Sequence, residues 1–182
     1  MNWFKTLLLL LVVYLVVFVE ATFNGLRHFI GAQVDLLPSL VVYASLSGGV
    51  IPLALVAVCG GLWHDSLSAN PLGISVLPLF LIGFVIERYR GLILREQTYA
   101  QWVIGALSSA AAPLMTLVIL FNLDQQPLIG WFSLWQWLVM TLAGAAMTPI
   151  WFVLFDWITR TLTYRPLGEM TFRADREIKR GR

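Results

Sequence analysis

A chain of 182 residues that is 59% hydrophobic and only 12% charged lies outside the soluble range of roughly 45 to 50% apolar and about 25% charged. This excludes a water-soluble globular domain and predicts an all-helical integral membrane protein, a single bundle of about six spans of roughly 20 residues each, with no length left for a second domain. The net charge of +2 hides a clustering of basic residues, for which anionic lipid headgroups and not nucleic acid are the expected partners.

The first segment, about residues 3–22, is a continuous Leu- and Val-rich stretch with a basic residue, Lys5, ahead of its apolar run, and it carries almost no small residues. Its apolar run continues to Val19 and no A-x-A site follows, so it reads as an uncleaved span. Segments two and three, about 35–47 and 50–63, are separated by Gly48 and Gly49 with Pro52 just beyond, a break that a straight helix does not carry. Each is short for a full crossing. Segment four covers about 72–86, segment five about 99–121 and segment six about 131–160, where Pro149 is expected to kink the helix. Residues 163–182 form a basic tail. The single cysteine, Cys59, excludes an internal disulfide and reads as a small buried hydrophobe.

The basic residues sort themselves onto one side of this layout. Lys5 precedes segment one, Arg88, Arg90 and Arg95 lie between segments four and five, and seven more, including Arg165 and Arg173, fall at or after the end of segment six. Only Arg27 is left for the other side, an eleven-to-one split of the twelve Lys and Arg residues. Because loops near spans keep Lys and Arg in the cytoplasm, the split predicts six crossings with both termini inside. Fusing segments two and three would export Arg88, Arg90 and Arg95. A re-entrant hairpin would preserve the parity, and the charges do not separate it from two full crossings. Tryptophans agree with the assignment: Trp3, Trp102 and Trp157 fall near inner ends, and Trp63, Trp131 and Trp135 near outer ends. Trp151 falls within a span, as a packing residue between helices.

The densest polar cluster runs from Gly60 to Gly73 at an outer connection. His64 and Asp65 do not make a catalytic pair, since neighbouring helical residues point about 100° apart and the further ligands or nucleophile of a site are missing. The structural expectation is that Asn70 caps segment four with Pro71 at its first position, and that Ser66 and Ser68 satisfy free backbone groups in the turn. Asp65 lies near a helix C-terminus, where the dipole disfavours a carboxylate, so it needs a partner; Arg27 is the candidate, with Glu20, Asp35 and Asp124 as competitors. Asp156 and Arg160, four residues apart, have the spacing of an ion pair at the inner interface. Ala44 with Gly48, Ala57 with Gly61, Gly105 with Ser109, Ser108 with Ala112, and Gly144 with Thr148 have the spacing that lets helices approach closely, and internal packing is their expected role. No motif for nucleotide, zinc or acyl-enzyme chemistry occurs, and no cofactor or metal is expected.

The order of a short basic N-terminus, Asp35-Leu36-Leu37-Pro38, the run Gly61-Leu62-Trp63-His64-Asp65-Ser66-Leu67-Ser68 leading to Pro71-Leu72-Gly73, and Arg88-Tyr89-Arg90 after segment four resembles the rod shape-determining protein MreD family over about residues 1 to 160. The resemblance implies a non-enzymatic component of the bacterial cytoplasmic (inner) membrane that maintains cell shape within the elongation machinery. It implies MreC as a direct partner and, through it, MreB, RodA and a class B penicillin-binding transpeptidase in peptidoglycan synthesis. It also marks Asp65, Pro71 and Gly73 as family-typical positions. His64 and the extended tail depart from the pattern. The family's helices are thought to resemble the substrate-binding subunits of energy-coupling-factor transporters, which makes a vitamin-uptake subunit the second reading, although segment one lacks the A-x-x-x-A pattern of such subunits.

Overall fold

The computed structural model describes residues 3–22, 31–68, 71–92, 97–123 and 130–162. It is all-helical, with six helices and no strand among the described residues. They are α1 (Trp3–Thr22), α2 (Leu37–Gly48), α3 (Val50–Leu67, with a π-helical turn at Val56–Gly60), α4 (Val76–Arg88), α5 (Thr98–Asn122) and α6 (Trp131–Leu162). Four of them, α1, α3, α5 and α6, are long and apolar enough to cross a membrane, whereas α2 and α4 have 12 and 13 residues. The third segment extends further than expected, through His64 and Asp65 to Leu67. Segment four starts later than expected, at Val76.

α2 sits at the centre. Every residue from Leu37 to Leu46 is buried, as expected of a helix that is enclosed all round, and α1, α3, α4, α5 and α6 all touch it. Its two fully buried serine hydroxyls are satisfied: Ser45 Oγ donates to Val41 O at 2.7 Å, and Ser39 Oγ donates to Leu36 O at 2.6 Å while accepting from Trp151 Nε1 at 2.9 Å. Tyr43 stacks on Phe155 and meets Phe152 edge-on. Trp151 is therefore the interhelical packing residue that its position predicted.

At Gly49 the backbone adopts φ +84°, a conformation that costs a glycine nothing, and α3 folds back antiparallel to α2. Gly60 of α3 lies against Leu37 of α2 and Val13 of α1. The buried face of α1 is the narrow stripe Thr6, Leu9, Val13 and Val17, flanked by the half-buried Leu8, Leu10, Val12 and Val16, while Leu7, Leu11, Leu15 and Phe18 are exposed. Across from this hairpin, α4 brings Gly83 against Val41 and Ser45, where an added Cβ would fall 2.8 Å and 2.9 Å from their side chains. Of the small residues noted in α5 and α6, Gly105 and Ser109 pack against Gly144 and Thr148. A Cβ on Gly105 would fall 2.8 Å from the Gly144 carbonyl oxygen, and Ser109 and Thr148 are buried in the same seam. Close backbone approach of this kind is what small residues at helical spacing permit. Both α5 and α6 continue through their internal prolines, Pro113 and Pro149.

The two ends of the bundle differ in charge. The Arg90 guanidinium lies beside Gly49, and Trp3, Thr6, Gly48 and Pro52 line one groove, so the starts of α1 and α3 and the end of α4 share an end. α6 runs parallel to α2, as its contacts from Ser39–Trp151 to Tyr43–Phe155 show, which brings Arg160 to the same end. Among the described residues, Lys5, Arg88, Arg90 and Arg160 all lie there. Glu20, Asp35 and Asp65 lie at the other.

Candidate functional site

The acid-rich end is built by three carboxylates, each of which finds backbone N–H groups at or near the start of a helix. The first four N–H groups of a helix have no partner within it, and a negative group there also meets the positive end of the helix dipole. At the start of α2, Glu20 Oε1 accepts from Leu36 N at 2.7 Å and Asp35 Oδ1 from Leu37 N at 2.9 Å; Pro38 has no N–H to satisfy. At the start of α4, Asp65 reaches across from the end of α3. Its Oδ2 accepts from Gly73 N at 2.8 Å and Ser75 N at 3.0 Å, and its Oδ1 accepts from Ser75 Oγ at 2.5 Å.

The sequence around Asp65 explains this reach. Gly61 lets α3 approach α4 closely, since a Cβ there would fall 3.0 Å from the Val76 backbone nitrogen. The π-helical turn just before it adds a residue to the helical circuit, a feature that often re-aims side chains near sites. Gly73 has φ +90°, which turns the chain so that the amides of residues 73 and 75 face the carboxylate. Ser66 Oγ donates to Trp63 O and Ser68 Oγ to Asp65 O, which satisfies the carbonyls at the end of α3 as expected.

One expectation is corrected here. Pro71 is not the first residue of a helix: residues 71–75 form a turn, with Ile74 N bonded to Pro71 O at 3.4 Å, and Ser75 holds the cap position of α4. The helix starts late because the Gly73 conformation breaks it and Asp65, from outside, supplies the cap. Asp65, 1% exposed, does need a partner, and it has three in Gly73 and Ser75. Arg27 lies outside the described residues, as do His28, Asn70, Arg95, Asp124, Arg165 and Arg173. At the opposite end, Arg88 and Arg90 are exposed, with Arg90 Nη1 3.8 Å from Glu87 Oε1. Asp156 and Arg160 are exposed on the last turns of α6, and among the described residues the close arginine–carboxylate pair is Glu87–Arg90, while the His64 ring lies beside Asp65.

Ser75 is the site residue that spacing did not reveal, although a serine just before an apolar run is a helix-start signal in its own right. Gln33 and Gln136 were also missed. Gln33 N donates to Gln136 Oε1 at 2.8 Å, and Gln136 Nε2 donates back to Gln33 O at 2.5 Å, so a reciprocal amide clamp ties α6 to the chain entering α2. Pairs 103 residues apart leave no local pattern.

Beside the carboxylates is a half-open cavity of about 200 Å³ lined by Asp35, His64, Ser75 and Thr116 on its polar side and by apolar residues of α4, α5 and α6, among them Leu79, Leu117 and Met140. His64 Nδ1 is 3.7 Å from Asp65 Oδ1 and is buried without a hydrogen-bond partner. No group of three or more His, Cys, Asp or Glu residues arranged to hold a metal occurs among the described residues. Cys59 is free and half-buried.

These features define an all-helical protein with four helices of membrane-crossing length packed with one shorter helix, α4, around the enclosed α2, and closed at one end by carboxylate caps. No protein-family model, curated protein or solved structure matches the chain.

Proposed function

We propose that this chain is a non-enzymatic, multi-pass component of a bacterial inner membrane that acts in the MreD manner, binding MreC and coupling cell-shape maintenance to peptidoglycan synthesis. The observation that carries the reading is the bond between Asp65 and Gly73. These are two of the positions that the resemblance singles out, and they meet across the turn for one architectural reason. Their chemistry is fully spent on closing the fold, which suits a scaffold.

In this reading the chain crosses six times with both termini in the cytoplasm, because the end carrying Lys5, Arg88, Arg90 and Arg160 takes the basic, inner side. The α3 arm covers about 27 Å, close to the roughly 30 Å of the hydrocarbon. α2 covers only about 18 Å, and the non-helical residues before it complete its path, with Val34, Asp35 and Leu36 half-buried against the bundle. Arg88, Arg90 and Arg95, with Arg165 and Arg173 of the tail, meet anionic lipid or cytoplasmic partners. Exposed apolar faces of α1, α5 and α6 are left for lipid and for partner helices. MreC is the direct partner, and MreB, RodA and a class B penicillin-binding transpeptidase are reached through it.

Depletion of the protein in its native cell tests this. Rounded cells, with MreC captured by the tagged protein from detergent extracts, support the role, and rods of normal shape overturn it. A vitamin-uptake subunit is the second reading, favoured by the cavity beside Asp35 and His64. Thiamine, biotin or riboflavin co-purifying with the protein, together with an uptake defect on depletion, would establish it instead.

A further inference from the structure

Capping accounts for the carboxylates at the acid-rich end but not for the cavity beside them. Its volume of about 200 Å³ exceeds the ~150 Å³ apolar cavity that accepts benzene and falls below the roughly 300–1,000 Å³ of pockets for drug-sized ligands, so it suits a headgroup-sized moiety. The polar lining is one-sided in chemistry: it offers acceptors, and no lysine or arginine is among the described lining residues. Ser75 Oγ gives its hydrogen to Asp65 and Thr116 Oγ1 gives its own to Ala112 O at 3.0 Å, which leaves both hydroxyls with lone pairs only. Asp35 brings a carboxylate, with Oδ1 engaged by Leu37 N. His64 Nδ1, buried and unpartnered, is an acceptor in one neutral tautomer. The opposite wall, including Leu117 and Met140, is apolar.

We infer that this cavity binds a primary ammonium group on a short alkyl stem, the chemistry of an aminoethyl lipid headgroup or of a free alkylamine. The three N–H donors of such a group match the Asp35 carboxylate, His64 Nδ1 and a hydroxyl oxygen of Ser75 or Thr116, while the stem lies against Leu117 and Met140. The inference rests on the membrane-spanning part of the reading above and is independent of the role in cell shape.

The test uses the purified full-length protein in nanodiscs of equimolar phosphatidylethanolamine and phosphatidylcholine, with retained lipid counted by native mass spectrometry. The expected result is retention of the aminoethyl lipid about fivefold over its choline counterpart, whose trimethylated head has no N–H to give. Asp35→Asn keeps the helix cap, since Asn caps as well as Asp, and is expected to abolish the preference; Leu117→Trp, which fills the cavity, is expected to abolish it as well. A thermal upshift with millimolar butylamine in pure phosphatidylcholine discs, without any lipid preference, supports the ammonium site and assigns it to a free amine. Equal retention of the two lipids with no butylamine shift overturns the inference, as does a preference that survives both substitutions. Cell rounding on depletion reads the shape role alone, so the two failures are distinguishable.

Discussion

Replacing Asp65 by alanine removes the acceptor for two backbone amides and one hydroxyl at the start of α4, and the geometry sets the size of the effect. The Gly73 and Ser75 amides, held at 2.8 Å and 3.0 Å, lose their acceptor beside a side chain that was 1% exposed. A buried donor left unpaired costs about 1–3 kcal/mol, and part of that is recovered as the 71–75 turn relaxes toward solvent, so a net loss of about 3 kcal/mol is expected for Asp65→Ala. At roughly 2–4 °C per kcal/mol for a chain of this size, this is a fall of about 6–12 °C in Tm. Asp65→Asn keeps a carbonyl oxygen for the amides, and the Ser75 hydroxyl can reverse its bond to accept from the new amide, so a loss of about 1 kcal/mol is expected. Ser75→Ala falls near that smaller value, and the Asp65→Ala, Ser75→Ala double variant loses less than the two singles added, because they share one bond. Thermal unfolding in a single mild detergent, followed by intrinsic tryptophan fluorescence, measures the series. If Asp65→Ala melts within about 1 °C of the parent, or Asp65→Asn is the more damaging change, the carboxylate is not the cap that closes α3 onto α4.

The α5–α6 seam predicts that Gly105→Ala destabilises by about 1–3 kcal/mol, because its Cβ would fall 2.8 Å from the Gly144 carbonyl oxygen, whereas Gly91→Ala, with open space around it, is neutral; detergent melting curves of the two check this. Gln136→Ala cuts both amide bonds to Gln33 and is expected to cost about 1–2 kcal/mol and to raise hydrogen exchange at residues 31–36, which mass spectrometry reads peptide by peptide.

The helices were legible in the sequence wherever a long apolar run stood alone. α1, α5 and α6 fall within two residues of their expected limits, because length and hydrophobicity suffice for an isolated run. The ends around the carboxylates were not legible, for a physical reason. A cap supplied from the same stretch of chain leaves a local signature, and Asn70-Pro71 imitates one. The cap of α4 comes instead from Asp65, ten residues before Ser75 and on another helix, so local spacing pointed to a start five residues too early. The argument that Asp65, at a helix C-terminus, must have a partner was sound, and the described partners are the backbone amides of Gly73 and Ser75 and the Ser75 hydroxyl, while Arg27 lies outside the described residues. The small-residue pairs of α5 and α6 were readable as pairs, and the structure shows Gly105 and Ser109 meeting Gly144 and Thr148. Gly83, pressed against Val41 and Ser45, was overlooked because α4 has no second small residue at that spacing to draw attention to it.

The charge difference between the ends has two separate causes, and this makes the orientation testable without reference to function. The carboxylates at one end are fixed by capping: Glu20, Asp35 and Asp65 would serve α2 and α4 equally well whichever way the bundle faced. The basic residues at the other end are mostly exposed and cap nothing described, so only the membrane gives their sorting a reason. Orientation should therefore follow Lys5, Arg88, Arg90 and Arg160, and not the carboxylates. In a Cys59→Ser background, which removes the only thiol, Gly91→Cys and Gly130→Cys place single thiols at exposed positions with open space around them, beyond opposite ends of α5. A membrane-impermeant maleimide added to intact spheroplasts is expected to label the thiol at 130 and to spare the one at 91 until the membrane is opened. Labelling of both from outside would place α5 otherwise than across the bilayer, and the reverse pattern would mean that the exposed arginines do not orient this chain.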